Sequence, residues 1–270
     1  MTLVASWMNL ERLHAPELWT IADTKIITNE TILTEEGAKL LELPIVCRNV
    51  SMPSQPIYYR SSIGFAYAGS SLVGFNVHAM LTSILSNLGS ANNKLPDYVS
   101  IAEKTRVIAM KYSESIRDLT EICLHGFCPK SKQPFIVTIK GSKDPKLYYN
   151  ITSTELRSDM ACTYIGDSKG SERMAEIVEY RLSKLSDLKE YWRTPVYALK
   201  ELIENREFTT IGGGVQLTIT TLNRFEQTWV LTDTSNQKDS FSFRNLDLLN
   251  DIGVSLGDCL VAINGIAFNG

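Results

Sequence analysis

The order in which helical and strand-like periodicity alternate along the chain is the strongest constraint on its fold. Helical periodicity occurs in two pairs of segments, at 72–88 and 98–116 and then at 168–185 and 193–205. Strand-like alternation fills the regions around these pairs, at 2–7, 17–23, 60–71, 121–128, 134–141, 146–152, 160–167 and 208–222. Because each apolar face must be buried against another element, this order predicts an α+β fold. We expect a four-layer αββα sandwich, in which two antiparallel sheets stack between helical layers.

Two of the helical segments carry more detailed expectations. The segment 72–88 is apolar on almost every side, which predicts a helix buried between layers and not one lying on the surface. In the segment 193–205, Thr194 is suited to cap the helix N-terminus and Pro195 to occupy the first helical position.

Composition excludes several classes of partner. The net charge is −3 and the basic residues are scattered, so no basic surface for nucleic acid is expected. No apolar run approaches the roughly 18 residues of a membrane span, and the N-terminus lacks the pattern of a signal peptide. The five cysteines are odd in number and mostly far apart, which is typical of reduced thiols. We therefore expect a cytoplasmic protein with no membrane partner.

One short cluster, CLHGFC at 123–128, raises the question of a metal site. On a strand, Cys123 and His125 share a face, and Cys128 lies nearby. A structural zinc site needs four ligands, however, and the chain has no second cluster to supply them. We expect no metal and no cofactor.

The stretch WTIADTKIITNETILTEEGAKLL (19–41) contains the first candidate functional residues. Asp23 ends an apolar strand and Lys39 follows sixteen residues later, beside two leucines. In isolation, Asp23 is as well explained as a turn residue, and Lys39 as a surface lysine whose stem packs on apolar neighbours. An antiparallel hairpin of 2–7 and 17–23, however, brings Asp23 close to Thr2.

Thr2 gives that proximity a chemical meaning. Removal of Met1 by a cytoplasmic aminopeptidase leaves a free amine on the residue that carries the hydroxyl, so one residue supplies both nucleophile and base. A lysine ammonium nearby keeps that amine neutral by like-charge repulsion, and an aspartate keeps the lysine charged and oriented. Thr2, Asp23 and Lys39 therefore have complementary roles in this hypothesis.

At this point the sequence resembles the proteasome β-type family, and within it the bacterial members that begin with Met-Thr. The matching segments are TLVASW, IADTK, GAKLLEL, FAYAGSS, YIGDSKGSERM and TIGGGVQLTI, and they cover most of residues 2–222. The resemblance implies an N-terminal nucleophile hydrolase domain over 1–222. No family counterpart accounts for 223–270, which we interpret as a β-rich extension packed on the same domain.

The resemblance also implies roles and partners. Thr2 would be the nucleophile, Asp23 and Lys39 its activators, and the backbone N–H of Gly69 a donor to the oxyanion. The substrate would be a peptide or an unfolded protein, and like subunits would assemble into a ring. An ATP-dependent unfoldase is a further expected partner.

The accessory positions depart from the family pattern. Where the family has a serine in a Gly-Ser-Gly turn, this chain has Gly166, Asp167 and Ser168, and where it has Asp-x-x-Ser, this chain has Thr209 and Gly212. Either Asp167 or Ser168 replaces the missing serine, or an unpaired Asp167 carboxylate raises the pKa of the Thr2 amine and keeps it protonated.

Three functions remain open on the sequence. The first is a threonine peptidase, the second a catalytically silent subunit or scaffold, and the third an N-terminal nucleophile hydrolase of small amides. The enlarged connection at 44–68 is open as well. It forms a pocket wall, a subunit contact or simple packing.

Overall fold

The computed structural model describes residues 2–12, 15–28, 31–144, 146–156, 159–185, 188–232, 240–261 and 265–267. Its helices are α1 (Ser71–Leu85), α2 (Tyr98–Ile116), α3 (Ser168–Leu182) and α4 (Leu188–Asn205), with one π-helical turn at Leu248–Ile252. Its strands are β1 (Leu3–Asn9), β2 (Glu17–Asp23), β3 (Ile26–Thr28), β4 (Thr31–Thr34), β5 (Leu40–Asn49), β6 (Ile57–Gly69), β7 (Leu88–Ser90), β8 (Thr120–Phe127), β9 (Pro134–Ser142), β10 (Tyr148–Ser153), β11 (Thr163–Gly166), β12 (Val215–Thr220), β13 (Phe225–Thr232), β14 (Ser240–Phe243), β15 (Leu246–Asp247), β16 (Ser255–Leu256), β17 (Cys259–Leu260) and β18 (Gly265–Ala267). Among the described residues, no helix combines the length and the apolar composition needed to cross a membrane.

Two large sheets organise the molecule. The first has the strand order β11-β1-β2-β12-β13-β14-β15, with β18 also paired to β13. The second has the order β10-β9-β8-β6-β5-β7. Pairing is antiparallel throughout both sheets except where β7 joins β5 and β18 joins β13. The β3–β4 and β16–β17 pairs form separate two-stranded ribbons.

Three apolar clusters show how these sheets and the helices stack. Between the two sheets lie Val4, Leu18, Ala22, Leu40, Ala66, Ala68, Cys123, Ile136 and Ile165. The outer face of the second sheet packs against α1 and α2, and the outer face of the first packs against α3 and α4. The predicted αββα sandwich of the α+β class is therefore confirmed.

The start of α4 differs from the prediction. The helix begins at Leu188, so Thr194 and Pro195 lie inside it and not at its N-terminus. The Thr194 hydroxyl donates to the Glu190 carbonyl one turn back, at 2.9 Å. Packing explains the longer helix, because Trp192 is buried and its carbonyl accepts the indole N–H of Trp7 at 3.0 Å. Burial of an aromatic residue outweighs the cost of a proline inside the helix.

The outer face of α1 is exposed, which makes the expectation of a helix buried on all sides wrong for the single chain. Val73 and Val77 on the inner face are fully buried against the second sheet. On the opposite face Leu72, Phe75 and Met80 are 60%, 40% and 41% exposed. The apolar composition of α1 therefore exceeds what one subunit buries.

The enlarged connection at 44–68 is mostly regular structure. Strands β5 and β6 pair from Leu40 opposite Ala66 to Arg48 opposite Ile57, which makes a long hairpin within the second sheet. Only the tip, 50–56, is irregular, and there Val50 and Met52 are about half exposed. Most of this segment therefore serves packing.

The chain after residue 222 continues the first sheet. Strand β13 pairs with β12 along its edge, and β14 pairs with β13. The division of the chain at 222 and 223 stays a prediction, since sheet continuity alone does not define a domain boundary.

His125 lies between the two sheets and yields a pH-dependent prediction. Cys123 and His125 share the inter-sheet face as expected, with Cys123 Sγ 3.5 Å from Ser6 Oγ and His125 Nδ1 3.4 Å from Thr220 Oγ1. Burial lowers the pKa of His125 to about 3, and its Nε2 has no hydrogen-bond partner within the described part of the chain.

The unfolded chain binds a proton at His125 below pH 6.5, whereas the folded chain does not until about pH 3. Stability should therefore be lost as the pH falls through this window, with His125 contributing about 2 kcal/mol of the loss between pH 7 and 5. Urea unfolding of the wild type and of His125→Leu across this range measures the free energy of unfolding at each pH. The slope of this free energy against pH should be shallower for the variant. Equal slopes would contradict a neutral His125 in the folded state.

Candidate functional site

Asp23 is the centre of the candidate site. It lies at the end of β2, fully buried, and both of its carboxylate oxygens are used. One oxygen, Oδ1, accepts the backbone N–H of Leu3 at 3.0 Å and Lys39 Nζ at 2.9 Å. The other, Oδ2, accepts the backbone N–H groups of Gly212 at 3.1 Å and Lys25 at 3.3 Å. The structure thus joins the start of β1 to Lys39 through a single carboxylate oxygen.

Lys39 immediately precedes β5 and is also fully buried. Burial lowers the pKa of its ammonium group and raises the pKa of Asp23, while the attraction between the two charges opposes both shifts. The pair is held at 2.9 Å in a site from which water is excluded. A lysine in this setting gives up its proton more readily than one in water, and the neighbouring carboxylate keeps it oriented.

Thr2 is 6% exposed and is held at its backbone by the residue that follows β11. Its carbonyl accepts the Asp167 N–H at 2.8 Å. Gly166, next to Asp167, has φ +104, and a Cβ there would lie 1.8 Å from the Thr2 carbonyl oxygen. Only glycine permits this close approach, so the Gly166 position sets where residue 2 lies. Met1, whose removal the hypothesis requires, lies outside the described residues.

Gly69 ends β6 close to the same point. The Cβ position at Gly166 lies 3.0 Å from the Ala68 side chain, so the end of β6 borders residue 2. Gly69 itself has φ +97, and a Cβ there would lie 2.8 Å from the Leu119 carbonyl oxygen. A side chain at this position would be strained as well as obstructive. The role of its N–H toward an oxyanion stays a prediction.

The carboxylate of Asp167 is hydrogen-bonded on both of its oxygens. Its Oδ1 caps α3 by accepting the Gly170 N–H at 3.0 Å, and its Oδ2 accepts the Thr210 hydroxyl at 2.7 Å. Partial burial raises the pKa of Asp167, but these hydrogen bonds outweigh it and hold the pKa below its usual value. Ser168 is exposed at the first position of α3. Asp167 therefore reaches Thr2 through its backbone, not through a free carboxylate.

Two contributors are missed by reasoning from the sequence. Gly212 belongs to the glycine-rich segment before β12, and its N–H binds Asp23. Gln216, 4% exposed in β12, contacts the backbone on both sides of the Asp23–Lys39 pair. A glutamine in the strand VQLTIT, whose other residues are apolar or threonine, is the only signal for it in the sequence.

A large groove lies next to these residues. Its volume is about 1240 Å³, and it runs between the β3–β4 ribbon and the connection from α4 to β12. Ile27, Ile32 and Phe208 provide its apolar lining, and Thr210 and Gly212 form part of its wall. Two residues that bind Asp167 and Asp23 therefore also face this groove.

Comparison with known proteins gives a structural likeness without a sequence family. No protein-family model and no curated protein matches the chain. Among solved structures, a Gly-1 mutant of Anbu from Hyphomicrobium sp. strain MC1 matches with a TM-score of 0.53 at 16% identity, over 84% of this chain and 86% of that one. The helical assembly of the Anbu complex from Pseudomonas aeruginosa matches with a TM-score of 0.55 at 15% identity, over 84% and 85%. Anbu from Hyphomicrobium sp. strain MC1 matches with a TM-score of 0.53 at 15% identity, over 84% and 87%.

At this level of identity the matches show the fold alone, a proteasome-like one. They also correct the family suggested by the sequence motifs. Anbu is a proteasome-like family distinct from the proteasome β-type family, so the assignment to the latter, and to its Met-Thr-starting bacterial members, is wrong. Motifs such as IADTK and FAYAGSS follow the shared fold and do not distinguish the families within it. The chain has a mixed α+β architecture matching that of Anbu, with the Thr2, Asp23 and Lys39 segments brought together at one end of its two sheets.

Proposed function

We propose that the chain is an N-terminal nucleophile hydrolase in which Thr2 is the nucleophile once Met1, and anything before it, has been removed. The observation that carries this proposal is the double use of Asp23 Oδ1, which accepts both the Leu3 N–H and Lys39 Nζ. Burying a lysine–aspartate pair costs stability, so such a pair points to a functional role. Here the buried aspartate accepts a hydrogen bond directly from Leu3, the residue that follows Thr2.

In the proposed reaction the Thr2 hydroxyl attacks the carbonyl carbon of an amide, and the Thr2 amine takes the hydroxyl proton. The Lys39 ammonium keeps that amine neutral beforehand, and Asp23 orients Lys39. The Gly69 N–H stabilises the oxyanion. The protonated amine then gives its proton to the leaving nitrogen, and water hydrolyses the resulting ester to restore Thr2.

Asp167 has a positioning role in this proposal. Its N–H holds the Thr2 carbonyl at 2.8 Å, while its carboxylate is fixed by Thr210 and by the start of α3. Because that carboxylate stays ionised, its charge still favours the protonated form of a nearby amine, and in this proposal the Lys39 ammonium opposes that effect. The exposed Ser168 has no part in the proposed reaction.

The groove supports a peptide substrate over a small amide. Its volume of about 1240 Å³ exceeds the ~300–1,000 Å³ of ordinary small-molecule pockets. Its lining combines apolar residues with charged ones such as Lys25 and Glu35, and it includes Gly212, which binds Asp23. We therefore propose a threonine-type peptidase that acts on extended peptides or unfolded protein.

Covalent labelling of Thr2 is the test of this function. A peptide epoxyketone reacts with a hydroxyl and a free amine on the same residue, so processed wild-type protein should gain the mass of one inhibitor. Thr2→Ala retains the amine but lacks the hydroxyl and should gain none. N-terminal sequencing of the same sample should begin Thr-Leu-Val. Unlabelled wild-type protein, or full retention of Met1 in native material, would favour the scaffold alternative.

We propose further that like subunits associate. The exposed Leu72, Phe75 and Met80 on α1 support this, because an apolar helix face left in contact with water is typical of a protein–protein interface. The Pseudomonas aeruginosa Anbu complex forms a helical assembly. Sedimentation at micromolar concentration should show an oligomer, and electron microscopy should distinguish the predicted ring from an open helix. A monomer would contradict the proposal. The unfoldase partner and the cytoplasmic location stay predictions.

A further inference from the structure

Gln216 joins the two sheets at the candidate site. Its position in β12 is opposite Ala22 of β2, and its side chain points into the space between the sheets. The neighbouring Val215 and Leu217 pack on the other side of the sheet, against the α3–α4 layer. The chain therefore places a buried amide between the sheets, at the level of Asp23 and Lys39.

Every hydrogen-bonding group of this amide faces backbone. Its Oε1 accepts the N–H groups of Lys39 at 3.1 Å and Leu40 at 3.4 Å. Its Nε2 donates to the carbonyls of Gly37 at 2.7 Å and Asp23 at 3.4 Å. The partners are two backbone N–H groups on one side and two backbone carbonyls on the other. A carboxamide satisfies both pairs, whereas a carboxylate cannot donate and an apolar side chain can neither donate nor accept.

The four bonds connect the backbone at Asp23 to the backbone at Lys39. Asp23 belongs to the first sheet and Leu40 begins a strand of the second. The four bonds of Gln216 add to the bond from the Gly37 N–H to the Thr24 carbonyl, at 2.8 Å, which joins the same two segments beside the 2.9 Å ion pair. We propose that Gln216 is a positioning residue, which holds the Lys39 backbone so that the ammonium meets Asp23 Oδ1 next to residue 2. This inference rests on the proposed function for its catalytic consequence, but not for its structural one.

The test compares two glutamines of the same layer. Gln216→Met removes all four bonds at similar volume. Gln227→Met is the matched control, because Gln227 donates to the Leu40 carbonyl at 3.2 Å and has no bond to Asp23 or Lys39 among the described contacts. Gln216→Met should lower kcat about 100-fold with KM unchanged, as expected for displacement of a catalytic group by about 1 Å. Gln227→Met should keep the wild-type kcat.

A second readout separates this inference from the proposed function. In protein labelled with ¹⁵N-lysine, the Nζ resonance of Lys39 is identified by its absence in Lys39→Met. It should move toward the resonances of exposed lysines in Gln216→Met and stay in place in Gln227→Met. If the wild type hydrolyses nothing, the proposed function fails and this resonance alone decides the inference.

If Gln216→Met does not fold, Gln216→Glu provides the same test at the same shape, since its second oxygen faces the carbonyls of Gly37 and Asp23 and repels them. It should show the same loss of kcat and the same shift of the resonance. A wild-type kcat together with an unchanged Lys39 resonance in the folded variant would overturn the inference.

Discussion

Asp23→Ala is expected to lower the free energy of unfolding by about 3–5 kcal/mol, the cost of leaving a buried charge without its partner. Lys39 is fully buried, and the Asp23 carboxylate is its ion-pair partner at 2.9 Å. The substitution also removes the acceptor for three backbone N–H groups, on Leu3, Gly212 and Lys25. Urea unfolding followed by tryptophan fluorescence measures the change.

An exposed ion pair provides the control. Glu114 lies 3.4 Å from Lys111 on α2, with both side chains about half exposed or more, so Glu114→Ala should cost less than about 1 kcal/mol. Combining Asp23→Ala with Lys39→Met should recover part of the lost stability, because the unpaired charge is then gone. Equal stability of Asp23→Ala and the wild type would mean that the pair is not buried as described.

Lys39→Met should lower the rate of hydrolysis by about 10³-fold or more, while the protein still folds. The asymmetry with Asp23→Ala has a physical reason. When Lys39 is removed, the Asp23 carboxylate keeps three backbone N–H donors, whereas removal of Asp23 leaves the Lys39 ammonium without a carboxylate. Without the ammonium the Thr2 amine stays protonated and cannot act as a base. Initial rates on a fluorogenic peptide, with circular dichroism to verify the fold, measure the effect.

Lys39→Arg distinguishes proton handling from charge alone. Arginine keeps the charge, but its guanidinium has a different geometry and does not share its proton, so this variant should also be inactive. Lys111→Met on the exposed surface of α2 should retain the wild-type rate. A folded Lys39→Met protein with the parent rate would remove Lys39 from the proposed mechanism.

Much of the fold follows from local pattern, because periodicity reports which face of an element is buried. The strand predicted at 17–23 and the helix predicted at 98–116 match β2 and α2 residue for residue. Where tertiary packing outweighs local preference, prediction fails. The start of α4 moved because Trp192 is buried, and β5 is hidden in a segment whose Pro44 and polar tip resemble a loop.

The candidate site divides in the same way. Asp23 and Lys39 are recognisable in the sequence because a charge at the end of an apolar strand and a lysine beside leucines are both unusual. The predicted hairpin then brings Asp23 close to residue 2. Gly212 and Gln216 contact Asp23 across 189 and 193 residues, and no pattern within either segment reports that contact. The family assignment failed for a related reason, since segments shaped by a common fold are shared across its families.

The two sheets differ in how their strands are drawn from the chain, and this has a consequence for synthesis on the ribosome. The second sheet and its two helices come from one continuous stretch, 40–153, whereas the first sheet collects strands from 3–23, 163–166, 215–247 and 265–267. Local contacts form early and distant ones late. A growing chain therefore carries Asp23 and Lys39 long before Gly212 and Gln216 exist to hold them. The contacts around Asp23 cannot be completed until β12 has left the ribosome. Under the proposed function, an unfinished chain therefore carries no assembled nucleophile.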